Sequence, residues 1–328
     1  MSAGSPRVSV VIPNWNGLDH LPECLGALTA QSLADFEILL VDNASTDGSV
    51  AWIRDHHSEV LILERPDNGG FSKAVNAGIL AARGEYVALL NNDTAVDANW
   101  LDALVEALDN HRSYDFAASK MILYYEPERL NAAGDIYTLR GMAGENRGFG
   151  QPPSRYDIME RVLGACAGAA LYRRALFAEV GLFDEDFFLM HEDTDFNLRC
   201  LIAGKRCLYV PDARVRHKWR ASIQAEPLPE TMRLLRRNEA FVAAKDLPTR
   251  TLLLKCVLWG YRVFRHTVPL RPSKWHLLPM LLRQAPERFR ADLEGFRLGL
   301  AKRPEVWRLK AVGTREIVHW LRKGSGPM

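Results

Sequence analysis

Residues 86–94, Tyr-Val-Ala-Leu-Leu-Asn-Asn-Asp-Thr, decide the fold. The first five form a short apolar run with the length and composition of a fully buried strand. The run stops at two amides and an acid, Asn91, Asn92 and Asp93. Polar side chains at the end of a buried strand cost free energy unless something there pairs with them. In doubly wound α/β folds that something is a ligand, which sits beyond the carboxyl ends of the strands.

Outward from this stretch the same pattern recurs. Strands are predicted at 8–12, 36–41, 60–64 and 86–90. Helices are predicted at 18–33, with Leu21, Leu25 and Leu28 on one stripe, and at 49–57, 72–82 and 100–108. The second helix has Ser45, Thr46 or Asp47 as its cap. Such β–α alternation predicts a largely parallel sheet with helices on both faces. Each strand runs into a loop rich in Asn, Asp and Gly: PNWNG (13–17), DNASTDGS (42–49), RPDNGGFS (65–72) and NNDT (91–94). Turn chemistry alone favours these residues. Their recurrence at four successive strand ends, beside a Trp15 ring able to stack on a base, points instead to a nucleotide. No GxGxxG opens the first helix and no GxxxxGK[ST] occurs, so neither a dinucleotide fingerprint nor a P-loop is present. The rim has little positive charge, which leaves a metal to neutralise phosphates. Asp93, beside Asn92, is the candidate ligand for Mg²⁺ or Mn²⁺, hard cations that take one or two carboxylates and complete their shell with phosphate and water.

The chain has 328 residues, 48% of them hydrophobic, enough for one large core with an appendage. No apolar run reaches the roughly 18 residues of a membrane span. The longest candidate, 251–264, contains Lys255 and Arg262, and the N-terminus enters a strand without a signal core. Five cysteines without a CxxC pair read as reduced thiols of a cytoplasmic protein. A net charge of +2 hides an asymmetry: residues 1–227 carry 21 Lys/Arg against 32 Asp/Glu, and residues 228–328 carry 21 against 8. Two regions follow, 1–227 and a basic helical 228–328, joined at the proline-punctuated EPLPE (226–230). In the second, Leu253, Leu254, Val257, Leu258 and Tyr261 fall at helical spacing with Lys255, Arg262 and Arg265 between them. Helices of this kind lie on anionic membrane surfaces, and the same pattern also suits a packing or oligomer module. Nothing in it has the signature of a nucleic-acid-binding fold.

Taken together, VSVVIPNWNG (8–17), EILLVDNASTDGS (37–49), NGGFSKAVNAGI (68–79), YVALLNNDT (86–94) and the long stretch 163–217 resemble the family 2 glycosyltransferases of the GT-A fold. The likeness spans roughly residues 7–220. In detail it is most similar to the bacterial branch of rhamnosyltransferases and galactofuranosyltransferases that build cell-surface glycans. The resemblance implies an inverting transferase that moves a sugar from a nucleoside-diphosphate donor to a hydroxyl of a glycan or lipid-linked acceptor. Rhamnose from dTDP-rhamnose leads, with UDP-sugars (galactofuranosyl or galactosyl) as the alternative. The implied location is the cytoplasmic face of the membrane, peripherally bound.

The resemblance also implies roles. In GLFDEDFFLMHEDTDF (181–196), Asp193 matches the general base, in the first turn of a helix at 193–203 whose dipole favours the ionised form. Glu192, Asp195 and Trp219 are then candidates for holding the acceptor, although helix capping alone also gathers acids at such a position. Pro13, Trp15, Asn16, Asp42, Asn43, Asn68, Gly70 and Asn92 are expected to line the nucleotide sugar, with Lys73 either near a phosphate or solvated. Many members carry Asp-x-Asp where this chain has Asn91-Asn92-Asp93, so one carboxylate remains. That departure raises the value of a second protein ligand, which the resemblance places at His217 beside Asp93. Asp184, Glu185 and Asp186 read as loop surface, and the glycine-rich 131–150 as a mobile loop over the donor. Two rivals are a nucleotidyltransferase, which would want a basic glycine-rich loop after the first strand, and a non-catalytic sugar-nucleotide binder, which would not need Asp193.

Overall fold

The computed structural model describes residues 5–138, 143–218, 228–257 and 278–326. Its first half follows the expected alternation: β1 (Val8–Asn14), α1 (Leu21–Thr29), β2 (Phe36–Asp42), α2 (Ser49–His56), β3 (Val60–Glu64), α3 (Gly70–Ala81) and β4 (Tyr86–Leu90). A short β5 (Thr94–Val96) and α4 (Trp100–Asn110) follow. None of the three cap candidates is the N-cap of α2, which is Gly48 at φ 86°; Asp47, just before it, accepts the Ser49 N–H at its Oδ1 at 3.0 Å. The strands β3, β2, β1 and β4 pair in parallel in that order, which aligns their carboxyl ends on one rim.

The second half extends the sheet. β6 (Phe116–Leu123), β7 (Leu130–Ala133), β8 (Asp135–Thr138), β9 (Ala143–Asn146), β10 (Glu160–Val162), β11 (Ala169–Arg173), α5 (Ala175–Val180), α6 (Glu192–Ile202) and β12 (Cys207–His217) come in turn. β11 lies antiparallel between β4 and β6, and β12 is parallel to β6, so the sheet is largely parallel with β11 reversed inside it, and β10, β5 and β7 run antiparallel toward its other end. One face packs on α1 and α4 through residues such as Leu25, Trp100 and Leu104, the other on α3, α5 and α6 through Val75, Phe177 and Phe196. Covering both faces buries the inner strands β1 and β4, as their unbroken aliphatic runs require, while the edge strand β3 leaves Leu61 exposed.

Residues 131–150 are not a loose loop. Asn131, Ala132, Ala133, Asp135 and Tyr137 are buried, and β8 pairs with β9 as a hairpin. The glycines that suggested mobility serve close packing: a Cβ at Gly144 would run into the Thr194 side chain of α6. Residues 139–142 lie outside the described residues.

The C-terminal region is helical as expected, with α7 (Leu228–Asp246), α8 (249–257), α9 (Leu278–Arg308) and α10 (Thr314–Lys323), then a two-residue β13 (Ser325–Gly326) that adds to β10. It does not stand apart from the sheet. Phe241, Val242, Val306, Ile317 and Trp320 join Tyr137, Phe187, Leu198 and Leu201 in one apolar cluster.

Candidate active site

The rim is tied together by a residue that no motif had singled out. Asn14, at the end of β1, donates from Nδ2 to Asp42 Oδ1 at 3.0 Å and to Ser45 Oγ at 3.2 Å. Its Oδ1 accepts from Asn92 Nδ2 at 2.7 Å. One buried amide thus joins the ends of β1, β2 and β4, which is why polar residues stop these strands. Asp42 Oδ2 accepts the Ser45 N–H at 2.9 Å, so both oxygens of Asp42 are engaged within the protein. Asn43 donates to the Gly70 carbonyl at 3.1 Å, while its Oδ1 is buried without a partner. Pro13, Trp15 and Asn68 are half-buried and Asn16 is exposed, so these four present surface at the rim. Gly70 adopts φ +80°, and a Cβ there would meet the carbonyl of Phe188. Its close approach is therefore to this chain's own 184–191 loop, whose Phe188 carbonyl accepts the Phe71 N–H at 2.8 Å.

Asp93 and His217 converge as the resemblance implied. β5 pairs with the end of β12, Thr94 opposite His217, and brings the two side chains together. His217 Nε2 lies 3.2 Å from Asp93 Oδ1, yet that oxygen is buried with no hydrogen-bond partner. His217 Nδ1 is 2.7 Å from Asn131 Oδ1. Because Asn131 Oδ1 accepts from Nδ1, Nε2 is the ring nitrogen that faces the carboxylate, the second-sphere arrangement that orients a metal-binding histidine. Burial works to raise the Asp93 carboxyl, but the imidazole of His217 and the charge at His20 outweigh it and leave the group below its ordinary value. An orphaned oxygen and a ring nitrogen facing one point fit a divalent cation that takes its remaining ligands from phosphate and water. Among the described residues no group of three or more His, Cys, Asp or Glu forms a complete protein cage. Lys218, which sequence reasoning missed, pairs with Glu23 at 3.0 Å, and its N–H donates to the Asp93 carbonyl at 2.9 Å.

The acidic turn sits on the same rim. The Asn91 N–H donates to the Gly168 carbonyl at 2.9 Å, and Ala167, next to it, offers a backbone hydrogen bond to Asp193. Met190 and His191, just before α6, adopt φ of 71° and 68°. Two successive non-glycine residues in this region cost on the order of 1–3 kcal/mol each and persist only where the surroundings impose them. Asp193 Oδ1 accepts the Thr194 N–H at 2.7 Å. Two further acids, Glu192 and Asp135, are near enough to feel its charge, and Asp135 had gone unnoticed within the presumed loop. Asp135 Oδ1 and Glu192 Oε2 are buried without partners. Burial, then the charge of Asp193, pushes Glu192 up to about 8 and Asp135 well above its ordinary value. Burial also raises Asp193, but the backbone groups of Thr194 and Ala167 oppose it. With Glu192 lifted to about 8 and Asp135 also raised, Asp193, whose ionised form the backbone groups of Thr194 and Ala167 favour, is the acid of the three placed to ionise.

Two expectations change here. Asp195 is fully buried, with Arg199 Nε at 2.8 Å and Lys245 Nζ at 2.5 Å, so it faces the protein body and has no open face for an acceptor. Asp184 is not loop surface: Lys245 and Lys302 each reach it at 2.6 Å, and these cations hold its carboxyl at about 2 against the effect of burial. Glu185 and Asp186 are exposed as expected. Trp219 lies outside the described residues.

Glu192 yields a pH prediction. Its carboxyl is lifted from 4.5 to about 8 in the fold, so its stabilising contribution is complete below about 4.5 and is lost as pH rises to about 8. Glu192→Gln mimics the protonated form at every pH. The variant should gain stability over wild type between pH 5 and 8, reaching a difference on the order of 1–3 kcal/mol at pH 8. Denaturant unfolding of both proteins at the two pH values checks this; parallel pH profiles would refute the protonated assignment.

The pattern described as Glycosyl transferase family 2 matches residues 9–181. An uncharacterised protein of Sinorhizobium fredii is 30% identical over 252 residues, covering 72% of this chain but only 27% of that protein. A PGL/p-HBAD biosynthesis glycosyltransferase of Mycobacterium tuberculosis is 28% identical over 200 residues, covering 60% of this chain and 70% of the relative. Among solved structures, Staphylococcus aureus TarS 1–349 in complex with UDP superposes with a TM-score of 0.54 at 18% identity, covering 91% of each chain. GalNAc-T7 with UDP, GalNAc and Mn²⁺ superposes with a TM-score of 0.59 at 16% identity, covering 92% of this chain and 57% of that one. At such identities the likeness is one of fold, and it places the sheet among GT-A glycosyltransferases.

Proposed function

The chain belongs to glycosyltransferase family 2, and from that membership we propose that it transfers a sugar, with inversion, from a nucleoside-diphosphate donor to a hydroxyl of a cell-surface glycan or lipid-linked acceptor. The carrying observation is one rim that bears both the Asp93–His217 pair and the acidic turn at Asp193. Trp15, Asn16 and Asn68 border the nucleotide, and the free Oδ1 of Asn43 is an acceptor for a base or ribose donor. Asp93 and His217 would hold Mg²⁺ or Mn²⁺, which when bound offsets the charge of the departing diphosphate. Asp193 takes the proton of the acceptor hydroxyl, and the protonated Glu192 beside it orients that hydroxyl.

Rhamnose from dTDP-rhamnose remains the leading donor because of the motif likeness, with a UDP-sugar second. Calorimetric titration of dTDP-rhamnose, UDP-galactose, UDP-N-acetylglucosamine and GDP-mannose, each with Mn²⁺, tests this. We expect one of them to bind at micromolar concentration and to release its nucleoside diphosphate slowly to water. Millimolar or weaker binding of all four would overturn the reading.

A peripheral position on the cytoplasmic face of a membrane completes the proposal. Among the described residues no helix is long and apolar enough to cross a bilayer. Phe289, Leu293 and Leu300 form an exposed stripe on α9 flanked by the exposed Arg290 and Arg297. Vesicles containing anionic lipid should therefore bind the protein and release it as salt rises. Undiminished binding to neutral vesicles at 1 M salt would refute the electrostatic part.

A further inference from the structure

The strained pair Met190–His191 needs a cause, and the described residues supply one from outside the sheet. Asn238 lies in α7, fully buried. Its Nδ2 donates to the carbonyls of Leu189 at 2.9 Å and Met190 at 2.8 Å, so both of its donors are spent on the backbone that leads into α6. Its Oδ1 accepts from Arg237 Nη1 at 2.8 Å, and Arg237 also donates to the Asp186 carbonyl at 2.8 Å. Arg237 is held in turn by Glu294 of α9 at 2.8 Å. Phe187, in the same loop, stacks on Phe241 of α7 with ring centroids 4.5 Å apart. Three neighbouring carbonyls of the loop are thus fixed by two adjacent side chains of one helix. Removing the donors leaves buried carbonyls unpaired and releases the left-handed turn.

We propose that Asn238 is a positioning residue for the transfer, fixing the turn from which Asp193 enters the site. The inference rests on the reading of Asp193 as the base. Asn238 touches neither donor nor acceptor; it acts through the geometry of residues 189–193. A base displaced by about 1 Å loses on the order of 10²-fold in rate, while binding of the nucleotide at the Asn14 rim is left alone.

The test uses the full chain, Mn²⁺ and the tightest-binding nucleotide sugar of the four above, with release of nucleoside diphosphate to water as the readout. Asn238→Asp keeps the size and the bond from Arg237 but presents an acceptor where two donors are needed. Asn238→Ser, which can give one of the two bonds, is carried in parallel in case the first variant does not fold. Val306→Ala, a buried truncation in α9 away from the turn, reports what loss of stability alone does to turnover. We expect Asn238→Asp to lower kcat by roughly 10- to 100-fold with donor KM within about 3-fold of wild type, the Ser variant to fall between, and Val306→Ala to keep kcat. In an Asp193→Asn background the Asn238 substitution should change kcat by less than about 3-fold, since the residue it positions has lost its function. Unchanged kcat in the single variants, the same loss in Val306→Ala, or a full further loss in the Asp193→Asn background would each overturn the positioning role. Wild-type turnover by Asp193→Asn alone would instead bring down the base assignment, and this inference with it.

Discussion

Asp193→Asn should bind donor and metal nearly as wild type does and lose turnover by roughly 10²–10⁴-fold, the range of a missing general base. The amide keeps the size of the carboxylate and can still accept the Thr194 N–H that Asp193 Oδ1 accepts at 2.7 Å. What it cannot do is take a proton. Inverting transfer needs that proton removed on the face opposite the leaving diphosphate, so no group at the Asp93 rim can substitute. Neither neighbour is a ready replacement, because burial raises the carboxyls of both Glu192 and Asp135 and holds them toward the protonated form. In this variant Glu192 is relieved of the Asp193 charge that helps to raise its carboxyl, so it ionises more readily than in wild type and the variant should recover a small part of its rate as pH rises. Parallel measurement of donor affinity and product formation for wild type, Asp193→Asn and Glu192→Gln decides the matter. Wild-type turnover in Asp193→Asn would place the base elsewhere.

Removal of the cation is the second large effect. Chelation with excess EDTA and Asp93→Ala should each abolish transfer, and the unfolding midpoint should shift by only a few degrees. Asp93 Oδ1 has no hydrogen-bond partner to lose, and the strand ends around it are held by Asn14, Asn92 and the pairing of β5 with β12. His217→Ala should leave a cation site of one carboxylate, so the concentration of Mn²⁺ for half-maximal rate rises by about 10- to 100-fold, the effect seen when the ligation of a metal site is weakened. Full activity in EDTA would exclude a metal role for Asp93. An unchanged Mn²⁺ requirement in His217→Ala would make the histidine structural.

Much of the parallel half could be read from the chain. β4 is found at the residues where the apolar run lies, and the strand-end loops do meet on one rim. Asn14 escaped notice because its importance is a contact among three loops, which no local pattern records. The reversed strand β11 was equally hidden: an apolar run such as Ala169–Arg173 has the same composition whichever way it runs. Asp195 could have been set apart from Asp193 in advance. Two residues along a helix are about 200° apart around its axis, so the pair cannot share a face. The error at 131–150 had a different origin, in taking glycine for looseness where Gly144 makes room for Thr194.

The two opposite charge blocks of the sequence meet in the structure as buried partners. Lys245 and Lys302, from the basic block, neutralise Asp184 and Asp195, from the acidic one, and the apolar cluster of Phe187, Leu198 and Leu201 is closed by Phe241 and Trp320. A chain ended at the proline-rich joint would keep every recognised motif and yet leave Asp184 without its cations, and Asp195 with Arg199 alone, beneath an uncovered oily face. Such a fragment should aggregate rather than melt as a smaller independent body. The stretch that can be recognised by its motifs stops near residue 220, whereas the stretch that must fold together runs on to Leu321.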